Sequence, residues 1–258
     1  MPVNKEIVAD FAINFYSANS FDDAFNTYYK LIKDAGFDGV LYSYIPHISV
    51  ASQLSIPPFF KASEKYLDFL AYYAEHRLDK QDFVIQAMRN GEDQVFNWWA
   101  EAKKRNVQED ELRVLTVAKE KYGITNGFTI PTMAEQRGIA GASVISSLDD
   151  SEFEKRLNNS IDTVALCTRM FHDFTLSSPL SSNTFVLPFF PNLTEKEIQV
   201  LRFQLTGKPM KLIKDTTGIT PKYAEKLLIN IRKKFGNISK NELIHQTSAF
   251  NILDDPNL

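Results

Sequence analysis

The feature that most constrains this fold is a stretch around residue 185 that shows no helical pattern. Residues 177–192, SSPLSSNTFVLPFFPN, contain three prolines and four serines. Because proline lacks a backbone donor and disfavours helix in the residue before it, such a stretch is typical of an extended connection. A chain of 258 residues is also long for one domain. We therefore predict two domains, residues 1–176 and residues 193–258, joined by a linker over residues 177–192.

The part before the linker mixes helical and strand patterns. The segment from Ser20 to Gly36 is amphipathic and predicts a helix that Ser20 caps. Further helices are predicted at residues 61–77, 80–89, 108–123 and 150–175. Strands are predicted at residues 37–46, 126–131 and 139–146, which are rich in aromatic and β-branched residues, and residues 94–100 predict a short strand or a loop. Helices that flank short strands with hairpin-like spacing indicate the α+β class, as an α-β-α sandwich with an antiparallel sheet.

The part after the linker carries four helical signals. The helices are predicted at about residues 194–207, 210–216, 221–235 and 239–248. Thr194 and Glu197 form a capping box for the first helix, and Ser239 with Glu242 begins the last. Gly218 lies in a tight turn between the second helix and the third. Two helices around such a turn, the second of them basic, predict a helix-turn-helix in an all-α four-helix domain.

The third of these helices is basic on one side. Pro221 fits the first helical position, and the Thr220 hydroxyl is predicted to cap the helix. Apolar residues recur at three- and four-residue steps and form one stripe: Ala224, Leu227, Leu228, Ile231 and Phe235. Lys222, Lys226 and Lys233 fall on the opposite side. A lone basic helix is often only a solvated helix face, so the surrounding sequence has to decide.

The distribution of charge along the chain favours a polyanion as the partner of this face, without identifying it. Residues 194–249 carry 11 Lys and Arg against 5 Asp and Glu, whereas residues 1–193 carry 18 against 25. A basic C-terminal quarter on an acidic body is typical of an appendage that binds a polyanion. Together with the predicted helix-turn-helix, it indicates that the lysines face the phosphates and grooves of double-stranded DNA.

The C-terminal part resembles the DNA-binding domain of the LuxR-type transcription regulators. The matching residues stand at the family spacing: Leu193-Thr194, Glu197, Val200-Leu201, Gly207-Lys208, Ile213, Ile219, Asn230-Ile231 and Lys233–Gly236. The residues that the resemblance implies in DNA contact are Lys222, Tyr223, Lys226, Asn230, Lys233 and Lys234. The family usually has Ala where Lys214 stands, Thr-Val where Tyr223-Ala224 stand, and often His where Leu227 stands. These departures concern the DNA sequence that is read more than DNA binding itself.

The N-terminal part is similar, over roughly residues 20–175, to the signal-binding domain of the same family, a sandwich that encloses an acyl-homoserine lactone. The family's pocket motif is Trp-x3-Tyr-x8-Asp-Pro-Val, and this sequence has Phe69, Tyr73 and Asp82-Phe83-Val84 at the same spacing, followed by Trp98. The glycine of a family strand is matched by Gly127. The resemblance implies that Asp82 accepts the amide N–H of the ligand, that Tyr73 donates to a carbonyl, and that Trp98 packs beside the head group. Phe69 replaces a tryptophan that donates to the lactone carbonyl, and a phenyl ring cannot donate.

Each of these residues also has a plain structural interpretation. Phe69 and Tyr73 lie four residues apart and can form the core side of an amphipathic helix. Asp82 can cap the helix that follows it. One of Trp98 and Trp99 can pack in the core while the other lies at a subunit contact. In favour of a pocket, a mostly apolar cavity with a few placed polar groups holds an acyl chain in one orientation, and a buried carboxylate needs a donor.

Other chemistry is hard to find in the sequence. The histidines His47, His76, His172 and His245 are scattered without metal-ligand spacing, and Cys167 sits among apolar neighbours in a helix. We therefore expect neither an enzyme nor a cofactor other than a bound signal. The first residues lack an apolar signal core, and no run approaches the roughly eighteen apolar residues of a membrane span. These features predict a cytoplasmic protein with no membrane partner.

The leading interpretation is a quorum-sensing transcription regulator that responds to a small amphiphilic signal, with an N-acyl-homoserine lactone as the first candidate. It predicts a homodimer, because one four-helix module buries too little DNA surface for useful specificity. Two alternatives stay open. One is a ligand-independent or differently tuned regulator whose aromatic cavity is filled by its own side chains. The more distant one is a protein-interaction module whose C-terminal helices bind a partner.

Overall fold

Two separate units make up the described part of the chain. The computed structural model describes residues 2–46, 59–109, 111–135, 138–177 and 193–248. Of these residues, those up to Asp173 belong to the first unit and those from Phe174 onward to the second. The predicted linker lies outside the described residues, apart from Ser177, which ends a long helix.

The first unit contains a five-stranded sheet and seven α-helices among its described residues. The helices are α1 (Lys5–Tyr16), α2 (Phe21–Asp34), α3 (Leu67–Glu75), α4 (Phe83–Arg89), α5 (Trp98–Lys104), α6 (Arg113–Tyr122) and α7 (Asp150–Ser177), with 3-10 turns at Glu64–Tyr66 and Leu78–Lys80. The strands are β1 (Gly39–Pro46), β2 (Phe59–Ala62), β3 (Phe96–Asn97), β4 (Asn126–Glu135) and β5 (Gly138–Ser146). All neighbours in the order β2-β1-β5-β4-β3 pair antiparallel. The predicted α+β class with an antiparallel sheet is confirmed.

Alternation along the strands gives the sheet two faces, and helices cover both. On one face, the ring of Tyr42 lies edge-on to that of Phe171 in α7, with 5.1 Å between centroids, and Phe171 also stacks on Tyr28 of α2. On the other face, Leu41 and Ile145 belong to a core that residues of α3, α4, α5 and α6 complete. Burial on both faces explains why β1 and β5 are almost continuously apolar.

Local signals set several helix ends in this unit as predicted. The Ser20 side chain accepts a hydrogen bond from the Asp23 backbone N–H and so caps α2. Gly123 ends α6 in the left-handed region, with a φ of 66° that residues with a side chain rarely adopt. These ends follow from short-range chemistry alone.

One predicted helix, residues 61–77, was partly wrong. Its first residues belong to β2, which pairs with Leu41–Tyr44 of β1, and α3 begins only at Leu67. The edge strand gains its backbone partners from residues far away in the sequence, so no local period revealed it. The helix predicted at residues 80–89 similarly begins at Phe83, after a separate 3-10 turn.

Two other helices were missed. Residues 94–100 were predicted as a strand or loop, but β3 has only two residues and α5 begins at Trp98, because the Asn97 side chain caps it by accepting from the Trp99 and Ala100 N–H groups. Helix α1 was not predicted at all. Its Phe11 and Phe15 are buried, and the Asn4 side chain caps it.

The second unit is all-helical in its described residues. It contains α8 (Glu195–Leu205), a 3-10 turn (Met210–Leu212), α9 (Ile213–Thr217), α10 (Pro221–Lys234) and α11 (Lys240–Ser248). The capping box of Thr194 and Glu197 is present in both directions, and Ser239 and Glu242 bond reciprocally at the start of α11. Gly218 links α9 to α10 with a φ of 73°. The buried side of α10 consists of Ala224, Leu227, Leu228 and Ile231, the predicted apolar stripe, and Phe235 is buried just beyond its end.

The prediction that the Thr220 hydroxyl caps α10 was wrong. Thr220 has the extended backbone of a cap residue, but its side chain makes no capping hydrogen bond. Pro221 follows it and has no N–H, which leaves the first turn with fewer donors to satisfy. The proline therefore starts this helix without help from the threonine side chain.

Candidate functional site

A largely apolar cavity lies between the sheet and helices α3–α6 of the first unit. Helix α6 contributes Val114, Leu115 and Ala118, and the sheet contributes Leu41 and Ile145. The four residues that the sequence singled out for ligand binding, Phe69, Tyr73, Asp82 and Trp98, all belong to the lining. Phe69 and Tyr73 come from α3, Asp82 precedes α4 and Trp98 begins α5, so only the fold brings them together.

Phe69 and Tyr73 lie one turn apart on α3 and both face this cavity. Their rings approach edge to face at 5.9 Å between centroids, and Phe69 also packs against Tyr122 at 5.2 Å. Both side chains are buried, so they are part of the core and of the cavity wall at once. The core interpretation and the pocket interpretation of these two residues therefore do not exclude each other.

The Asp82 carboxyl group is buried and already has two hydrogen-bond partners. Oδ2 accepts from the Tyr73 hydroxyl at 2.8 Å, and Oδ1 accepts from the Val84 backbone N–H at 2.9 Å. The second bond caps α4, so Asp82 is a helix cap as well as part of the lining. Burial raises the pKa of Asp82 to about 6, although both hydrogen bonds act in the opposite direction. Burial also raises the pKa of Tyr73 well above 10, so its hydroxyl remains a donor.

Trp98 packs against the sheet at the start of α5. Its indole N–H donates to the Thr129 hydroxyl at 2.8 Å. Its ring lies directly over Gly127, where an added Cβ would come within 2.5 Å of the ring carbons. Gly127 is therefore required by this close approach and not by a special backbone angle. Trp99 is half-buried and donates to the Thr125 carbonyl at 3.0 Å.

A second set of polar groups at the cavity consists of hydroxyl groups on the sheet, which were not predicted from the sequence. The Thr129 hydroxyl, which accepts from Trp98, also lies 3.0 Å from the hydroxyl of Ser143 on the neighbouring strand. Ser143 and Ser43 both line the cavity. A signal was present, since both serines occupy inward-facing positions of strands that are otherwise apolar.

The cavity is small in this structure. Its free space is about 40 Å³, enough for about three water molecules. Sites that hold drug-sized ligands usually measure about 300–1,000 Å³. The Tyr73–Asp82 and Trp98–Thr129 bonds satisfy the polar groups internally, so a larger occupant must displace side chains as it enters.

The exposed side of α10 in the second unit presents the predicted basic residues. Lys222, Tyr223, Lys226 and Lys233 are exposed, and Asn230 is half-buried among them. These residues lie opposite the buried side of α10. The face is thus positively charged and free of the unit's own core packing.

Lys234 differs from the other predicted DNA contacts. Its ammonium lies 2.7 Å from the buried carboxylate of Glu197 in α8. Burial acts to raise the pKa of Glu197, but the bonds from Lys234 and Thr194 outweigh it and lower that pKa. This ion pair joins α8 to α10, and a contact of Lys234 with DNA stays a prediction.

No alternative chemistry is evident in the parts of the chain that the structure describes. Within them, no group of three or more His, Cys, Asp and Glu side chains is arranged to hold a metal ion. The described helices likewise include none with the length and hydropathy needed to cross a membrane. His172, which the sequence left without a role, is buried and bonds the Tyr42 hydroxyl at 2.6 Å, and burial lowers its pKa to about 4.

Comparison with known families identifies the first unit. The family described as "Autoinducer binding domain" matches residues 20–174, more than half of the chain. The chain belongs to this family. The resemblance to the signal-binding domain of LuxR-type regulators is thereby confirmed, and the family is one of signal-sensing regulators and not of enzymes. No curated protein matches the sequence.

Solved structures are similar to this autoinducer-binding protein at low sequence identity. SdiA in complex with octanoyl-rac-glycerol is 14% identical and covers 98% of each chain with a TM-score of 0.53. Escherichia coli SdiA in the space group P6522 is 13% identical, with a TM-score of 0.48 over 96% of this chain and 98% of that one. CepR2 from Burkholderia cenocepacia, an N-acylhomoserine lactone dependent LuxR family factor, is 12% identical, with a TM-score of 0.49 over 64% of this chain and 93% of that one.

Proposed function

We propose that the protein is a DNA-binding transcription regulator of the quorum-sensing type, whose autoinducer-binding domain holds a small neutral amphiphile. In this proposal residues 1–176 bind the signal, residues 177–192 form the linker and residues 193–258 bind DNA. The observation that carries it is the convergence of the four residues chosen by spacing on one cavity. Three of those residues bring polar groups to a wall that is apolar apart from two serines, which is the composition that a single-chain amphiphile needs.

The charges around the cavity limit the class of signal. Asp82 is an acceptor at neutral pH, and the described lining contains no Lys, Arg or His side chain. A carboxylate or phosphate head group would lie beside Asp82 without a cation to pair with, which is strongly unfavourable in a buried site. A neutral head group with an N–H or O–H donor suits the site. N-acyl-homoserine lactones have such a donor, and so does octanoyl-rac-glycerol, the molecule bound to SdiA.

Phe69 separates these candidates. A phenyl ring offers no donor, so a lactone carbonyl placed beside it loses a hydrogen bond that a tryptophan would supply. We expect ordinary acyl-homoserine lactones to bind this protein less tightly than a tryptophan-bearing relative. Phe69→Trp should tighten lactone binding if Phe69 faces the lactone ring.

Ligand-induced thermal stabilisation tests the proposal directly, because a ligand that binds only the folded state raises its stability. The native protein, Phe69→Trp and Asp82→Asn are heated with octanoyl-rac-glycerol and with a panel of lactones. Asp82→Asn should lose about ten- to a hundredfold in affinity, as expected for a buried charge-assisted bond. The matched control is Asp68→Asn, which replaces an exposed carboxylate on α3 and should keep the stabilisation. Lack of stabilisation by any lactone in both the native protein and Phe69→Trp excludes the lactone, and lack of stabilisation by any of the ligands excludes this class of signal.

A second candidate function is favoured by the size of the cavity. With about 40 Å³ of free space and its polar groups bonded internally, the domain resembles a self-filled core. A regulator of this kind is an orphan that acts without a ligand, or one tuned to a different molecule. Mass spectrometry of small molecules that co-purify with the protein separates the candidates, since an orphan that acts without a ligand carries none and a differently tuned regulator carries a different molecule.

The DNA-binding part of the proposal rests on the exposed basic face of α10. Lys222, Lys226 and Lys233 are exposed, and we propose that they contact DNA phosphates, with the exposed Tyr223 and the half-buried Asn230 beside them. Each phosphate contact releases counterions, so Lys233→Ala should weaken binding to all sequences and lower the salt slope by about one. The control variant is Lys103→Ala, which changes an exposed lysine of the first unit and should leave the salt slope unchanged. Unchanged slopes for Lys222, Lys226 and Lys233 variants alike would leave a protein-interaction module as the better interpretation.

The proposed active form is a cytoplasmic homodimer. Two α10 helices about one DNA turn apart can read a two-fold symmetric site, and a single module buries too little surface for specificity at physiological salt. Sedimentation measured with and without DNA checks the assembly. Monomer alone under both conditions rules it out.

A further inference from the structure

One apolar side chain stands in the middle of the basic face of α10. Ile229 is 51% exposed, more than any other large apolar residue among the described residues 193–248. It lies three residues after Lys226 and four before Lys233, which places these side chains about 5–6 Å apart at their Cβ atoms. Glu225, one turn before Ile229, adds a single acid at the edge of the same surface.

This position is unfavourable for isoleucine in a helix that faces only water. A β-branched residue loses side-chain freedom in a helix, and an exposed one gains no packing in return. The other isoleucine of this helix, Ile231, is fully buried in the core, so Ile229 is not needed there. Single exposed apolar residues are common, but this one is surrounded by the lysines that are proposed to contact phosphates.

We infer that Ile229 contacts the C5 methyl group of a thymine in the major groove and sets part of the base preference of this protein. The inference rests on the proposed DNA-binding function of α10. Lysine contacts with phosphates hold a helix in the groove but carry no sequence information, whereas apolar contact with the thymine methyl distinguishes thymine from the other bases. The charge of the face selects DNA as the occupant, because a hydrophobic protein partner would have to bury three lysines without matching acids.

The experiment uses the full chain and begins with a pool of duplexes that carry a randomised region. Sequences bound by the native protein are enriched, and the affinity for the best duplex is measured by fluorescence anisotropy. Each thymine is then replaced singly by deoxyuridine, which lacks only the C5 methyl group. The same duplexes are measured with Ile229→Ala and with the control Leu212→Ala, which removes an exposed apolar side chain outside α10.

The expected result is one thymine position whose replacement by deoxyuridine weakens native binding about fourfold, the loss of one methyl contact. Ile229→Ala should bind the thymine and deoxyuridine duplexes equally well, while Leu212→Ala keeps the native discrimination. Alanine is the better helix former, and circular dichroism checks that the helix content is retained.

Three results would overturn the inference. These are enrichment without a methyl-sensitive thymine, discrimination that persists in Ile229→Ala, and salt-dependent binding to DNA without any sequence enrichment. In all three the proposed DNA-binding function stands. If the native protein shows no salt-dependent binding to any duplex, the proposed function itself fails and the inference fails with it.

Discussion

Replacing Asp82 with Asn is expected to stabilise the ligand-free protein at neutral pH, although it removes a hydrogen-bonded carboxylate. Burial raises the pKa of Asp82 to about 6 from its usual 3.8, even with hydrogen bonds from Tyr73 and Val84 that favour the charged form. At pH 7 the native state therefore holds a carboxylate in surroundings that favour the neutral acid. In the unfolded chain the same charge is solvated by water.

The sign and the magnitude follow from proton linkage. The native state binds the proton more tightly than the unfolded state, so this group's contribution to stability is greatest below pH 3.8 and is lost as the pH rises to about 6. One pKa unit corresponds to about 1.36 kcal/mol, and the loss is about 3 kcal/mol. Asparagine is neutral at every pH, caps α4 as well as aspartate does, and can donate its amide N–H to the Tyr73 oxygen. We expect a gain of about 1–3 kcal/mol near neutral pH that disappears near pH 4.

Urea unfolding followed by tryptophan fluorescence measures the difference in unfolding free energy between Asp82→Asn and the native protein in the autoinducer-binding domain. The chain has two tryptophans, Trp98 and Trp99, and both lie in the autoinducer-binding domain, so the signal reports on that domain. The native protein and Asp82→Asn are compared at about pH 4, 6 and 7.5. Asp68→Asn, in which an exposed carboxylate is replaced, should stay within about 0.5 kcal/mol of the native protein.

Two outcomes would refute the reasoning. If Asp82→Asn is less stable than the native protein at neutral pH, the hydrogen bonds outweigh the desolvation of the charge. If the difference between the two proteins is the same at all three pH values, the carboxylate does not titrate between the native and unfolded states as described.

The remaining predictions concern packing and the ion pair. Gly127→Ala should destabilise the autoinducer-binding domain by about 1–3 kcal/mol and change the fluorescence of Trp98, because the new Cβ falls within 2.5 Å of the Trp98 ring. Equal stability of the variant and the native protein would show that the ring moves freely. Glu197→Gln should destabilise the second unit by about 1–3 kcal/mol in thermal melts, since it removes the carboxylate that Lys234 and Thr194 bond. Because the pKa of Glu197 is lowered, its contribution to stability is present above pH 4.5, the usual pKa of a glutamate, and is lost as the pH falls. The variant should therefore be less sensitive to acid than the native protein. An unchanged acid sensitivity would contradict the assignment.

Local patterns in the sequence were enough to predict the helices of the second unit. The capping boxes at Thr194 and Ser239, Pro221 and Gly218 act within a few residues, and the apolar steps of α10 match the residues that are buried. The spacing of Phe69, Tyr73 and Asp82 likewise selected residues that line one cavity. The failures were the edge strand β2 and the helices α1 and α5, whose short segments depend on distant partners or on a single cap.

The sequence by itself determined the helices of the second unit and the family spacing that the chain carries, because both are properties of near neighbours. Only the tertiary structure decided what those residues touch. The register of β4 and β5 places the Thr129 hydroxyl between Trp98 and Ser143, and the packing of α3 on the turn before α4 lets Tyr73 bond Asp82. The small cavity and the raised pKa of Asp82 follow from that packing, since both depend on how closely segments far apart in the chain exclude water.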